Sequence, residues 1–115
     1  MVNVNYNLEH KKVLDSFLLK KPGVVSGKMF GYPAYYVKKK LFACVYENGV
    51  GLKVPESNVN ELIGKNGIIH FQPMGRTKMR EWIQINREES EDYLKVKELF
   101  DMSIQFVSNL AIKKR

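Results

Sequence analysis

The sequence predicts an α+β fold: a two-layer arrangement with an antiparallel sheet of about five or six strands, an N-terminal helix, a short middle helix and a long C-terminal helix. Three observations carry this expectation. Apolar residues recur at three-or-four spacing near both ends of the chain, as in amphipathic helices. The stretches between them are short, β-branched or aromatic, and bounded by turn residues, as strands are. The joints between those stretches are short, whereas a parallel crossover needs about a dozen residues, so the pairing is expected to be antiparallel.

The first helix is expected over residues 7–20, with Tyr6, Val13, Leu14, Phe17 and Leu18 forming its apolar face. Asn5 or Asn7 can cap it, Glu9 lies near its positive end, and Pro22-Gly23 stops it. Residues 24–30 read as a strand closed by the turn signal Gly31-Tyr32-Pro33. Residues 34–37 and 41–46 flank Lys38-Lys39-Lys40, which suggests a tight hairpin with a basic tip. The run 41–46 is apolar at every position and reads as a central, well-covered strand. Asn48-Gly49 is the strongest short hairpin signal and leads into a strand over 50–54.

After Pro55 a short helix is expected over 56–63, with Val59, Leu62 and Ile63 inward, ending at Gly64-Lys65-Asn66-Gly67. A strand over 68–71, a loop over 72–78 and a strand over 79–86 follow. In the last of these, Trp82 and Gln84 share one face, and Ile83 and Ile85 the other. Ser90 is a suitable N-cap for the final helix, expected to reach Leu110, with Tyr93, Val96, Phe100, Ile104 and Val107 on its apolar stripe. Residues 1–115 therefore read as a single domain without repeats or linkers.

Composition narrows the function classes. With 44% apolar and 27% charged residues, the chain has the make-up of a globular domain rather than a disordered one. No apolar run approaches about 18 residues and the N-terminus lacks a signal-peptide pattern, so a cytoplasmic location is expected. A lone cysteine, Cys44, rules out an internal disulfide. The formal net charge is +7 with a pI near 9.5, which raises the question of nucleic acid or acidic partners. That charge is uneven. Residues 10–46 hold eight lysines against Asp15, whereas residues 81–101 hold seven acids against three cations.

Several short motifs occur in a fixed order: Lys28-Met29-Phe30-Gly31, then Lys40-Leu41-Phe42-Ala43, then Gly51-Leu52-Lys53-Val54-Pro55. They are followed by Phe71-Gln72-Pro73-Met74-Gly75-Arg76 and by Glu81-Trp82-Ile83. Together they resemble the N-terminal domain of TfoX, a regulator of natural competence, and the small proteins that share this domain. The resemblance covers most of the chain and implies a two-layer α+β fold. Its motif positions include Met29, Phe30, Gly31, Pro73, Met74, Gly75, Arg76 and Trp82. It implies a regulatory, non-enzymatic role and transfers no catalytic residue and no cofactor.

The chemistry-bearing residues agree with that. Cys44 sits in an apolar strand, where a buried small hydrophobe is expected rather than a nucleophile. His10 and His70 are far apart and lack HExxH spacing, so no metal site is expected, and His70 reads as a partly buried packing residue. Gly49-Val50-Gly51 and the 64–67 segment read as turns rather than phosphate loops. The acids Glu88, Glu89, Glu91 and Asp92 read as a helix start. Two basic segments stand out: the tip Lys38, Lys39 and Lys40, and the Met-bearing loop with Arg76, Lys78 and Arg80. Tyr32, Tyr35 and Tyr36 lie near the first, and stacking on bases is one use for them, although Tyr35 and Tyr36 should face opposite ways. Two readings result. The first is a protein-interaction or self-associating module of the TfoX N-terminal type. The alternative is a nucleic-acid-binding protein that uses the basic tip and the basic loop.

Overall fold

The computed structural model describes residues 5–75 and 79–113, apart from the side chains of Met74 and of residues 111–113. Helix α1 (Leu8–Leu18) precedes four strands, β1 (Val24–Met29), β2 (Tyr32–Val37), β3 (Lys40–Tyr46) and β4 (Gly49–Lys53). Helix α2 (Glu56–Leu62) leads to β5 (Ile68–His70), a 3-10 turn (Pro73–Gly75) and β6 (Trp82–Asn86). A 3-10 stretch (Ser90–Val96) runs into α3 (Lys97–Lys113). The strands form one six-stranded sheet, ordered β1-β2-β3-β4-β6-β5, and every neighbouring pair is antiparallel. The chain is therefore α+β, as its patterning predicts.

Local chemistry explains most of the boundaries. Asn7 caps α1, its side-chain oxygen accepting the His10 N–H at 3.1 Å. Two turns are displaced from their expected places. The β1–β2 turn is Phe30-Gly31, so Tyr32 and Pro33 belong to β2. Met29 and Tyr32 close this two-residue hairpin, which makes Lys28 and Pro33 a non-hydrogen-bonded pair. Proline is tolerated there because its nitrogen points towards β3, whose ladder with β2 starts only at Ala34. The β3–β4 turn is Glu47-Asn48, and Gly49 and Gly51 are strand residues rather than turn residues. Both answer close approach across the sheet: a Cβ on Gly49 would lie 2.1 Å from Asn86 Oδ1, and one on Gly51 would lie 2.8 Å from Phe71 Cζ.

The main core lies between the sheet and the helices. Leu14, Phe17 and Leu18 of α1, Val59 of α2, and Leu99, Phe100 and Val107 of α3 pack on Tyr35, Val37, Val45, Val50, Leu52, Ile83 and Ile85. A bulge adjusts β3 to this layer. Tyr35 pairs with Ala43 and Tyr36 with Leu41, which leaves Phe42 as the extra residue, and both Phe42 and Ala43 join the helix-side core. Leu41, Cys44 and Tyr46 pack into a second apolar cluster on the opposite face, so the run 41–46 shows no polar face. The Ser103 hydroxyl of α3 donates to the Phe42 carbonyl at 3.3 Å and so satisfies a group at the bulge.

A buried polar node ties three elements together at one end of the sheet. His10 has no exposed surface. Its Nε2 lies 3.2 Å from the Asn48 carbonyl, which can only accept, so Nε2 carries the proton and Nδ1 accepts from the Ser90 hydroxyl at 2.7 Å. Tyr93 meets the imidazole edge-on at 4.8 Å and donates its own hydroxyl to the Ile85 carbonyl. Ser90 is thus not the cap of the last helix. Glu89 holds that position, and the first turns are 3-10 rather than α. The Ser90 hydroxyl is committed to His10 instead.

Burial pushes the His10 pKa below its ordinary value of 6.5, against the smaller raising effect of the backbone groups of Asn48 and Arg87. The unfolded chain therefore takes up this proton first. The stabilisation is fully present above about pH 6.5 and falls as the pH drops from there towards the folded pKa, by roughly 1.4 kcal/mol for each pH unit between the two values. Urea unfolding of the wild type should show a midpoint that drops between about pH 7.5 and pH 5. His10→Gln, which removes the titrating group, should flatten that part of the profile.

Candidate functional site

The three α-helices and the 90–96 stretch all pack on one face of the sheet. The opposite face carries Tyr32, Ala34, Cys44, Tyr46, Phe71 and Trp82, with Met29, Tyr36, Leu41 and Met79 packed around them. Among the described residues no α-helix covers this face, and the side chains cover one another. Phe71, just past β5, lays its ring over Gly51 and beside Cys44 Sγ. It meets Tyr46 at 5.5 Å and Trp82 at 5.5 Å, and Tyr46 meets Tyr32 at 4.7 Å. Cys44 is fully buried beneath them, and burial pushes its thiol up to about 12, so it is no nucleophile.

Apolar side chains reach solvent around this aromatic cluster. Val25 of β1 is 57% exposed, Phe30 in the adjoining turn is 64% exposed and Ile69 of β5 is 47% exposed. Phe30 also adopts φ +51, a left-handed conformation that costs a bulky residue roughly 1 kcal/mol. Strand β1 is an edge of the sheet. Tyr36 lies across it at Gly27 and donates to the Lys28 carbonyl at 2.7 Å, which blocks one outward-facing acceptor.

The second feature is a basic end of the sheet. Lys38 and Lys39 form the β2–β3 turn with φ +51 and +66, positions where Asn and Gly are the low-cost residues. Both are exposed, and among the described residues neither forms an ion pair. Lys40 opens β3 and lines a groove of about 370 Å³ with Leu41, Lys53, Trp82, Val107 and Leu110. A neighbouring hollow of about 440 Å³ shares Lys53 and Trp82 and adds Glu56, Met79, Arg80 and Glu81. Acids temper some of these cations: Lys53 lies 3.6 Å from Glu81, and Arg80 lies 3.3 Å from Glu56. Lys53 also stands 5.9 Å from the centroid of the Trp82 ring.

The structure thus brings Lys38, Lys39, Lys40 and Arg80 to one end of the sheet. Arg76 and Lys78 lie outside the described residues. Lys53 was not singled out in the sequence; its place beside Trp82 follows from the β4–β6 register, which no local pattern reveals. The stacking role considered for the tyrosines loses two of its members. Tyr32 and Tyr35 are buried, and the Tyr35 hydroxyl donates to Asp15 at 2.5 Å, so only Tyr36 is half-exposed. Of the motif positions, Met29 and Trp82 join the aromatic cluster, Phe30-Gly31 form a turn, and Pro73-Met74-Gly75 form the 3-10 turn after Phe71. His70 ends β5 half-buried, and among the described residues no group of three or more His, Cys, Asp or Glu could hold a metal. Nor is any helix there long and apolar enough to cross a membrane.

No family model matches the chain, and neither a curated protein nor a solved structure matches it. The likeness to the TfoX N-terminal domain rests on the motifs quoted above.

The aromatic face depends on Gly51. Phe71 has no exposed surface and is held by Tyr46 and Trp82, so its ring has little freedom to yield to a methyl group. Gly51→Ala should therefore destabilise the protein by about 1–3 kcal/mol in urea unfolding, the usual cost of overpacking. A change below about 0.5 kcal/mol would show that the ring moves aside at little cost.

Proposed function

We propose that this chain is a non-enzymatic regulatory or protein-interaction module of the TfoX N-terminal type that works through the helix-free face of its sheet. The observation that carries this reading is the one-sided covering of the sheet. Over a buried aromatic layer, half-buried Met29, Tyr36, Leu41 and Met79 reach the surface and are bordered by exposed Val25, Phe30 and Ile69 instead of by a helix. Aromatic and methionine side chains are the types enriched at the cores of interfaces. A second copy of the chain is the simplest partner for this face. Sedimentation equilibrium up to about 1 mM, where even millimolar affinity populates a dimer, tests it. The wild type should self-associate and the double variant Val25→Lys, Phe30→Asp should not. A wild type that stays monomeric throughout removes self-association from the reading.

The basic end supports a second reading, a nucleic-acid-binding protein that grips phosphates with Lys38, Lys39 and Lys40. It is favoured by two lysines standing in left-handed turn positions that suit Asn and Gly better, a local cost that a charge-based role would explain. Affinities for a mixed-sequence DNA duplex, its single strand and an RNA, measured at about 50 and 200 mM salt, decide it. Binding should fall steeply with salt, and changing all three lysines to Ala should lower the salt slope by about 3. No binding at the lower salt leaves these lysines as a solubilising tip.

A further inference from the structure

We infer that two copies of the chain pair antiparallel along β1, edge to edge, about a two-fold axis at Ser26, so that their two sheets become one. Strand β1 is an edge, with β2 on its inner side. Its backbone groups alternate between the two sides. Met29 and Tyr32 close the β1–β2 hairpin as a hydrogen-bonded pair, so Val25, Gly27 and Met29 direct their amides and carbonyls to β2. Val24, Ser26 and Lys28 therefore turn theirs outward.

Two of these outward groups are already engaged. The Val24 N–H donates to the Lys21 carbonyl at 3.3 Å, and the Lys28 carbonyl accepts from the Tyr36 hydroxyl at 2.7 Å. Among the described residues no partner takes up the Val24 carbonyl, the Ser26 N–H, the Ser26 carbonyl or the Lys28 N–H. A two-fold axis at Ser26 uses those groups. Each Ser26 exchanges both of its bonds with Ser26 of the other copy, and each Lys28 N–H donates to the other copy's Val24 carbonyl. The bond this register leaves unmade, from the Val24 N–H to the Lys28 carbonyl, is the one whose two members are satisfied within the chain.

Side chains select a second copy over an arbitrary extended strand. Val25, 57% exposed, falls opposite Gly27 of the other copy on the helix-free face. Gly27 presents no side chain there, and the Tyr36 ring lies beside it, 3.0 Å from where a Cβ would stand. Val25 thus packs against that ring. Lys28 falls opposite Val24, so the two Lys28 ammonium groups do not face each other. The inference rests on the self-association proposed above and gives it a geometry, in which the two helix-free faces join side by side.

Sedimentation equilibrium and NMR on the full chain test it. The wild type should dimerise with a dissociation constant on the order of 0.1–1 mM, as suits a contact of one strand pair. In a mixture of labelled and unlabelled chains, an intermolecular NOE should link the Val25 Hα to the Gly27 Hα, because non-hydrogen-bonded antiparallel partners approach closely. Within one chain these protons are two residues apart on an extended strand, too far for that signal. Ser26→Pro removes the central donor without touching the β2 ladder. It should abolish the NOE and weaken dimerisation at least about tenfold, with far-UV circular dichroism unchanged. Ile69→Lys, on the opposite edge of the sheet, should leave both intact. A dimer that lacks the NOE, or that survives Ser26→Pro and is lost in Ile69→Lys, would overturn the edge pairing while leaving association through the helix-free face standing. A wild type that stays monomeric to about 1 mM would overturn the pairing and self-association together.

Discussion

A β-sheet has two faces, and the helices of this chain pack on only one of them. The other face must exclude water with its own side chains, and that constraint organises much of what surrounds it. It explains why the chain past β5 delivers Phe71 onto the sheet, why Gly51 lies beneath that ring, and why Cys44 and Ala34 are small. Large rings at Tyr32, Tyr46 and Trp82 close the layer from the sides. A layer only one side chain thick cannot hide every apolar group, so Val25, Phe30 and Ile69 remain at its border. The proposed interaction surface follows from this shortage of cover.

The two ends of the sheet differ in chemistry. One end holds His10, Asn48 and Ser90, a satisfied polar node that fixes α1 against the β3–β4 turn and the start of the C-terminal helical segment. The other end carries Lys38 and Lys39 in the β2–β3 turn, and Lys40, Lys53 and Arg80 line the hollows that share Trp82. Because β3 and β4 run antiparallel, the start of one and the finish of the other meet there, and so do Lys40 and Lys53. Basic side chains are thus concentrated at this end of the sheet. Glu56 and Glu81 temper it, so this end is a mixed surface with a basic rim.

His10 is a buried polar residue that the apolar pattern of α1 leaves out. It shares the helical spacing of Leu14, Phe17 and Leu18, and that spacing alone points it into the core. Its side-chain type obscured the signal, because a buried imidazole is tolerable only when both ring nitrogens have partners. Those partners are 38 and 80 residues away in the chain. Ser90 was misread for the complementary reason: it has the right residue type for a helix cap, yet a distant histidine claims its hydroxyl.

The sequence by itself determined the kinds of element and their rough limits. Apolar periodicity, proline and glycine punctuation and short joints are local properties, and local sterics and hydrogen bonding act on them directly. The split of β6 into Ile83 and Ile85 on one face and Trp82 and Gln84 on the other, and the burial of Cys44, were legible for that reason. Tertiary structure alone decided that β6 would lie between β4 and β5, that Phe42 would bulge, and that Lys53 would stand beside Trp82. Each of these depends on which distant strands pair and in what register. That choice is made by the total burial of two sheet faces and a helical layer, a sum over the whole chain that no single window of sequence contains.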